Sequence, residues 1–165
     1  MRRFNNLTRV LVSAAVFATA SSALASDGTI YPGEMCIQVG TLGVKGIYLG
    51  STRNDSTTQT LTLDCPVVRQ QTERGIDKGS WVRVLDRNTT KQVECILYAF
   101  NFEGVQTSSE LKPSQGFGSQ VQKLQFDTAV FADTTTHQFV RCTLPPVDNG
   151  QYSHIATYKI EENNG

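Results

Sequence analysis

An excess of charge of either sign is missing from this sequence. Fifteen Lys and Arg stand against fifteen Asp and Glu in 165 residues, so there is no basic field to track a nucleic-acid backbone and no nucleic-acid partner is expected. Histidine is scarce, with only two, and there is a single Trp, which limits imidazole chemistry to His137 and His154. None of the four cysteines has a C-x-x-C neighbour. Without close ligand pairs to pre-shape a tetrahedral site, no structural zinc and no other cofactor is expected. The apolar run at residues 10–20 is too short to cross roughly 30 Å of hydrocarbon as a helix, and no longer one follows it, so no membrane span is expected. Helix-period patterns, internal repeats and low-complexity tracts are nearly absent.

That apolar run instead completes an export signal. Arg2, Arg3 and Arg9 supply a positive start, and Ala23-Leu24-Ala25 is the small-residue pattern of a cleavage site before Ser26, which predicts a leader over residues 1–25 and one domain over 26–165. Removing the leader takes three cations with it and leaves a slight acidic excess. Ser26, rather than Cys, follows the cleavage site, so a bacterial lipid anchor is not expected there. The expected location is the periplasm or the exterior. In such a compartment an even set of cysteines, Cys36, Cys65, Cys95 and Cys142, reads as two disulfides, each contributing roughly 2 to 4 kcal/mol.

Threonine, valine and glycine with frequent polar punctuation predict strands joined by turns. Residues 46–50, with Val44 before them, read as a short strand. Residues 58–65 alternate, with Leu61, Leu63 and Cys65 on one face. Residues 81–85 and 92–100 flank Asp86-Arg87-Asn88-Thr89-Thr90-Lys91, a polar connection of hairpin length. In the second of these strands Val93, Cys95 and Leu97 share one face and Ile96, Tyr98 and Phe100 the other, which reads as a central strand buried on both sides. Residues 121–126, 139–144 and 155–160 complete the set, ahead of a polar tail at 161–165. Cys142 lies on the inward face with Val140 and Leu144, matching Cys95, so Cys95–Cys142 and Cys36–Cys65 are the favoured pairs. With no helix for crossover connections the strands pair antiparallel, and the fold class is an all-β two-sheet sandwich of seven to eight strands, jelly-roll or immunoglobulin-like. Two long connections, 66–79 and 101–119, stand out.

Tyr31-Pro32-Gly33-Glu34-Met35-Cys36, Asp64-Cys65-Pro66-Val67, Val84-Leu85-Asp86-Arg87-Asn88 and Cys142-Thr143-Leu144-Pro145 together resemble a pattern of small exported bacterial proteins. The resemblance implies a bacterial origin and a single domain. It brings no activity and no site residue with it.

Catalytic patterns are thin. Ser153 adjoins His154, but neighbours in a strand face opposite ways, so the two do not make a nucleophile and base. There is no G-x-S-x-G or H-E-x-x-H pattern, and no thiol is left over if all four cysteines are bridged. Asp64, Glu73, Asp77, Asp86, Glu94 and Glu103 are carboxylates of the type that glycoside hydrolysis uses, with no pairing signal among them. Asp127, Asp133 and Asp148-Asn149-Gly150 only loosely resemble a calcium loop and read as solvated turns. Gly116-Phe117-Gly118 lacks the lysine and helix of a phosphate loop and reads as a flexible loop.

Sugar recognition uses exposed aromatic faces with nearby amides and carboxylates. Tyr48 and Tyr98 are candidates by type, and Trp81, Phe117 and Tyr152 are the candidate binding residues. Trp81, opening an alternating strand, also reads as a cover for the core edge, and Phe117 as a loop-tip anchor. The expectation is a non-catalytic exported binding or accessory module, not an enzyme, with a glycan or an envelope protein as partner. The alternatives are a carbohydrate-binding domain and a structural subunit of a surface assembly, although the polar C-terminal tail departs from the pattern of a strand-donating pilin.

Overall fold

Strict alternation makes the clearest strands. In a computed structural model describing residues 29–67, 79–127 and 137–161, β5 (Leu61–Pro66) and β10 (His137–Leu144) bury every second side chain. The other strands among the described residues are β1 (Thr29–Pro32), β2 (Ile37–Gln38), β3 (Lys45–Tyr48), β4 (Ser51–Asn54), β6 (Trp81–Leu85), β7 (Glu94–Phe100), β8 (Gln106–Pro113), β9 (Gln122–Gln125) and β11 (His154–Ile160). The predicted leader, Glu73, Asp77, Asp133 and the end of the tail lie outside the described residues.

Two antiparallel sheets face each other. One has the order β3-β4-β11-β6-β9, with β1 sharing an edge of β11 with β4, and the other runs β2-β5-β10-β7-β8. Leu61, Leu63, Leu97 and Val140 from one sheet meet Val82, Val84, Ile155 and Tyr158 from the other in a single buried cluster. Each such side chain contributes roughly 1.5 to 3 kcal/mol by leaving water. The Tyr158 ring stacks on Tyr31 at 5.0 Å, and its hydroxyl donates to the Pro66 carbonyl at 2.7 Å, tying one sheet to the other. Burial pushes that hydroxyl's pKa well up. The disulfides are Cys36–Cys65 and Cys95–Cys142. Both lie inside, and Cys95 and Cys142 are direct cross-strand partners on β7 and β10.

The hairpin expected from residues 81–100 does not form. β6 pairs with β11 and β9, whereas β7 pairs with β10 and β8 in the opposite sheet. The connection, residues 86–93, arches across the end of the sandwich because the Asp86 carboxylate turns inward. Asp86 is fully buried and accepts from the Asn88 and Val93 backbone N–H groups and from the Ser114 and Ser153 hydroxyls. Its own carbonyl accepts from Gly118 N–H at 2.8 Å, so three connections are gathered on one residue.

Residues 101–119 are also not one long connection. β8 occupies their middle and pairs along β7 from Glu94 to Phe100. Short polar β4 and N-terminal β1 add to the predicted strands. Gly33, in the turn after β1, lies against β11 so closely that a Cβ there would meet the Ile155 carbonyl oxygen at 2.1 Å.

Candidate functional site

Among the described residues, the outer face of the β2-β5-β10-β7-β8 sheet carries the largest group of aromatic rings in contact. Cross-strand register sets its rows. Ile37, Asp64, Arg141, Ile96 and Leu111 form one line across the five strands. Pro66, Phe139, Tyr98 and Ser109 form the next, followed by His137, Phe100 and Gln106. Beneath these rows the Cys95–Cys142 bridge fixes the registration of β7 on β10.

Within the rows the rings pack on one another. Phe100 stacks on His137 at 5.2 Å and on Phe139 at 5.6 Å, and Tyr98 meets Phe139 at 5.4 Å and Phe100 at 5.9 Å. Tyr98, Phe100 and Phe139 are half-buried and His137 is exposed. Cross-strand aromatic pairs of this kind hold a pleated surface together and leave ring area open to solvent.

One end of the patch is charged. Arg141 donates from Nε and Nη2 to the two carboxylate oxygens of Asp64 at 2.7 and 2.8 Å, and its guanidinium lies 5.3 Å from the centre of Phe139 and 5.9 Å from that of Tyr98. The hydrogen bond that Arg141 donates to Asp64 holds the guanidinium pKa above its ordinary value. Apolar rings bordered by a fixed ion pair, a serine and a glutamine can stack on the apolar face of a ring-shaped polar ligand while bonding to its hydroxyls.

Ile96, Tyr98 and Phe100 correct an expectation, since their face of β7 is the outer surface and not a second core. Their alternation was readable. What the sequence alone did not reveal was that none of the described residues forms a second layer over that face, and Phe139 and His137 were not singled out for binding at all.

The expected binding residues stand apart. Trp81 is 6% exposed on the outer face of β6, with the Arg83 guanidinium 4.6 Å and the Lys123 ammonium 5.8 Å from its ring centre. Two cations cover the indole, so it is no open stacking surface. Phe117 is 64% exposed in the β8–β9 connection and lines a cleft of about 750 Å³ with Gln115, Gln120, Gln122 and Lys123. Tyr152 lies in the β10–β11 connection with Arg53 4.3 Å from its ring centre. Among the described residues no ring contact joins any two of the three.

Ser153 lies just before β11, which begins at His154. The serine hydroxyl is buried, accepting from Arg87 N–H and donating to Asp86. His154 sits in β11, where burial and the charges of Arg87 and Arg53 push its pKa down. Asp127 is paired with Lys112 at 2.6 Å. Asp148 accepts from the hydroxyl and N–H of Thr89, which draw its pKa down. Among the described residues no group of three or more His, Cys, Asp or Glu gathers, and no helix is long and apolar enough to cross a membrane.

No protein-family model and no curated protein matches the sequence. Several solved structures align with most of this chain. The chain is similar to the CBM36-1 domain of a multidomain xylanase from the hindgut metagenome of Trinervitermes trinervoides, at 15% identity, with 84% of this chain and 99% of that one covered and a TM-score of 0.45. A variant of the family 29 carbohydrate-binding module CBM29-2 aligns at 10% identity over 82% of this chain and 92% of its own, with a TM-score of 0.47. A family two carbohydrate esterase from Cellvibrio japonicus aligns at 8% identity over 84% of this chain but 34% of its own, with a TM-score of 0.43.

Proposed function

We propose that this chain is a non-catalytic binding module of the bacterial periplasm or exterior, that its ligand is a saccharide, and that the outer face of β5, β10, β7 and β8 is the contact surface. A single observation carries the reading, the contiguous group Tyr98, Phe100 and Phe139 bordered by the Asp64–Arg141 pair. Sugar rings present axial C–H groups that stack on aromatic carbon and equatorial hydroxyls that need directional partners, and this face offers both. Two disulfides suit the oxidising compartment such a ligand would share.

The test is a glycan-array screen with the wild-type protein, followed by calorimetry on the best ligand. Phe139→Ala should weaken that ligand tenfold or more with the fold intact by circular dichroism, while a substitution at the distant Phe117 should leave it within a factor of about two. Wild-type binding that survives Phe139→Ala and Tyr98→Ala unchanged would move the site elsewhere.

A further inference from the structure

The β3–β4 hairpin breaks a rule that the same chain obeys elsewhere. At its turn Leu49 and Gly50 both have positive φ, 48° and 78°, the pair of left-handed residues that a tight hairpin turn takes from Asn-Gly or Asp-Gly. Asn149 and Gly150 supply that chemistry in the small turn between Asp148 and Gln151, with φ of 50° and 73°. A leucine in this conformation is sterically disfavoured and packs nothing to compensate, because Leu49 is 86% exposed. Its neighbours Ile47 and Tyr48 are 60% and 57% exposed. Isolated surface leucines are ordinary, but three consecutive open apolar residues on a strained turn are not.

The occupant follows from shape and chemistry. Successive strand residues face opposite ways, so Ile47 and Tyr48 lie on opposite faces of the hairpin with Leu49 at its end. A protein groove or a second sheet edge would cover one face of such a tip, whereas a fluid apolar medium surrounds it. Behind the tip the Arg53 guanidinium lies 5.6 Å from the ring centre of Tyr48 and 4.3 Å from that of Tyr152, and among the described residues its hydrogen bond is from Nε to Asp55 at 2.6 Å. Tyrosine rings flanking a cation are the side chains that settle at the headgroup level of a bilayer. Glu34 N–H holds the turn in place by donating to the Gly50 carbonyl at 3.0 Å.

We propose that Ile47, Tyr48 and Leu49 form an anchor that inserts into the interface of a phospholipid surface, with Arg53 reaching a lipid phosphate from between the two tyrosines. The inference is independent of the saccharide reading. The test is vesicle flotation of the exported protein on phosphatidylcholine alone and mixed with phosphatidylglycerol, comparing wild type with Leu49→Asn and Leu49→Met carrying the same sequenced N-terminus. Leu49→Asn should cut partitioning tenfold or more while leaving the melting temperature unchanged or higher, because asparagine accepts the left-handed conformation. Leu49→Met should retain partitioning. Failure of the wild type to float on either vesicle, or equal flotation of Leu49→Asn, would overturn the proposal. So would concentration-dependent self-association that Leu49→Asn abolishes, which would make the tip a contact between copies of the chain.

Discussion

Each sheet turns an aromatic group and at least one arginine toward the outside, and the two outer faces end up unlike. On the β6 side, Arg83 is two residues from Trp81 and so on the same face, and the register that pairs Arg83 with Lys123 brings a second cation beside the indole. On the β10 side, Arg141 is likewise two residues from Phe139, but its cross-strand partner is Asp64, which takes both of its inner nitrogens and draws it toward β5. Trp81 is buried with two cations within 6 Å of its ring centre, whereas Phe139 and Tyr98 stay half-buried with a single cation nearby that a carboxylate one strand away holds in an ion pair.

The heaviest blow to this contrast would fall on the bridge under the open face. Cys95→Ala and Cys142→Ala should each cost about 2 to 4 kcal/mol in denaturant unfolding, and the double variant no more than either alone. Peptide mapping without reduction that joined either residue to Cys36 or Cys65 would contradict the pairing. Next, Asp64→Ala should release Arg141, already 5.3 Å from Phe139 and 5.9 Å from Tyr98, to close further over both rings. Saccharide affinity should fall about tenfold, and Arg141→Ala introduced with it should restore part of the loss. The reciprocal change, Arg83→Ala with Lys123→Ala, should uncover Trp81. Acrylamide quenching of its fluorescence should rise about twofold, with a stability change near 1 kcal/mol.

The smallest effect concerns pH. The folded His154 resists a proton that the unfolded chain accepts near its usual pKa of 6.5. Stability from this group is thus present above that value and declines as pH falls toward the depressed folded pKa. His154→Gln should flatten the decline between pH 7 and 5 in urea titrations by less than about 1 kcal/mol.

Alternation made much of the architecture legible. Leu61, Leu63 and Cys65 declared the inner face of β5, and Val140, Cys142 and Leu144 that of β10, because period-two burial writes itself directly into residue type. Polar edge strands left no such mark. β8 reads Gln-Thr-Ser-Ser-Glu-Leu-Lys-Pro and pairs through its backbone, which any side chain permits. The misread hairpin at 81–100 has a different cause, since a short connection serves equally for a turn within a sheet or an arch between sheets. Asp86 settles the matter only once Ser114 and Ser153, distant in sequence, are placed beside it. The candidate surface was half visible. Tyr98 and Phe100 shared a face, but whether a second layer lay over that face depended on the fold.

Among the described strands, β3 to β4 and β7 to β8 are the sequential pairs that neighbour each other in one sheet, and the other sequential pairs lie in opposite sheets. Folding must therefore close long loops before most strands find a partner, which predicts a slow search dominated by distant contacts. Cys95 and Cys142, separated by 47 residues, meet only when β10 settles between β5 and β7. Oxidation would then seal a sheet already assembled. Until that point the chain would carry unpaired strand edges open to its surroundings.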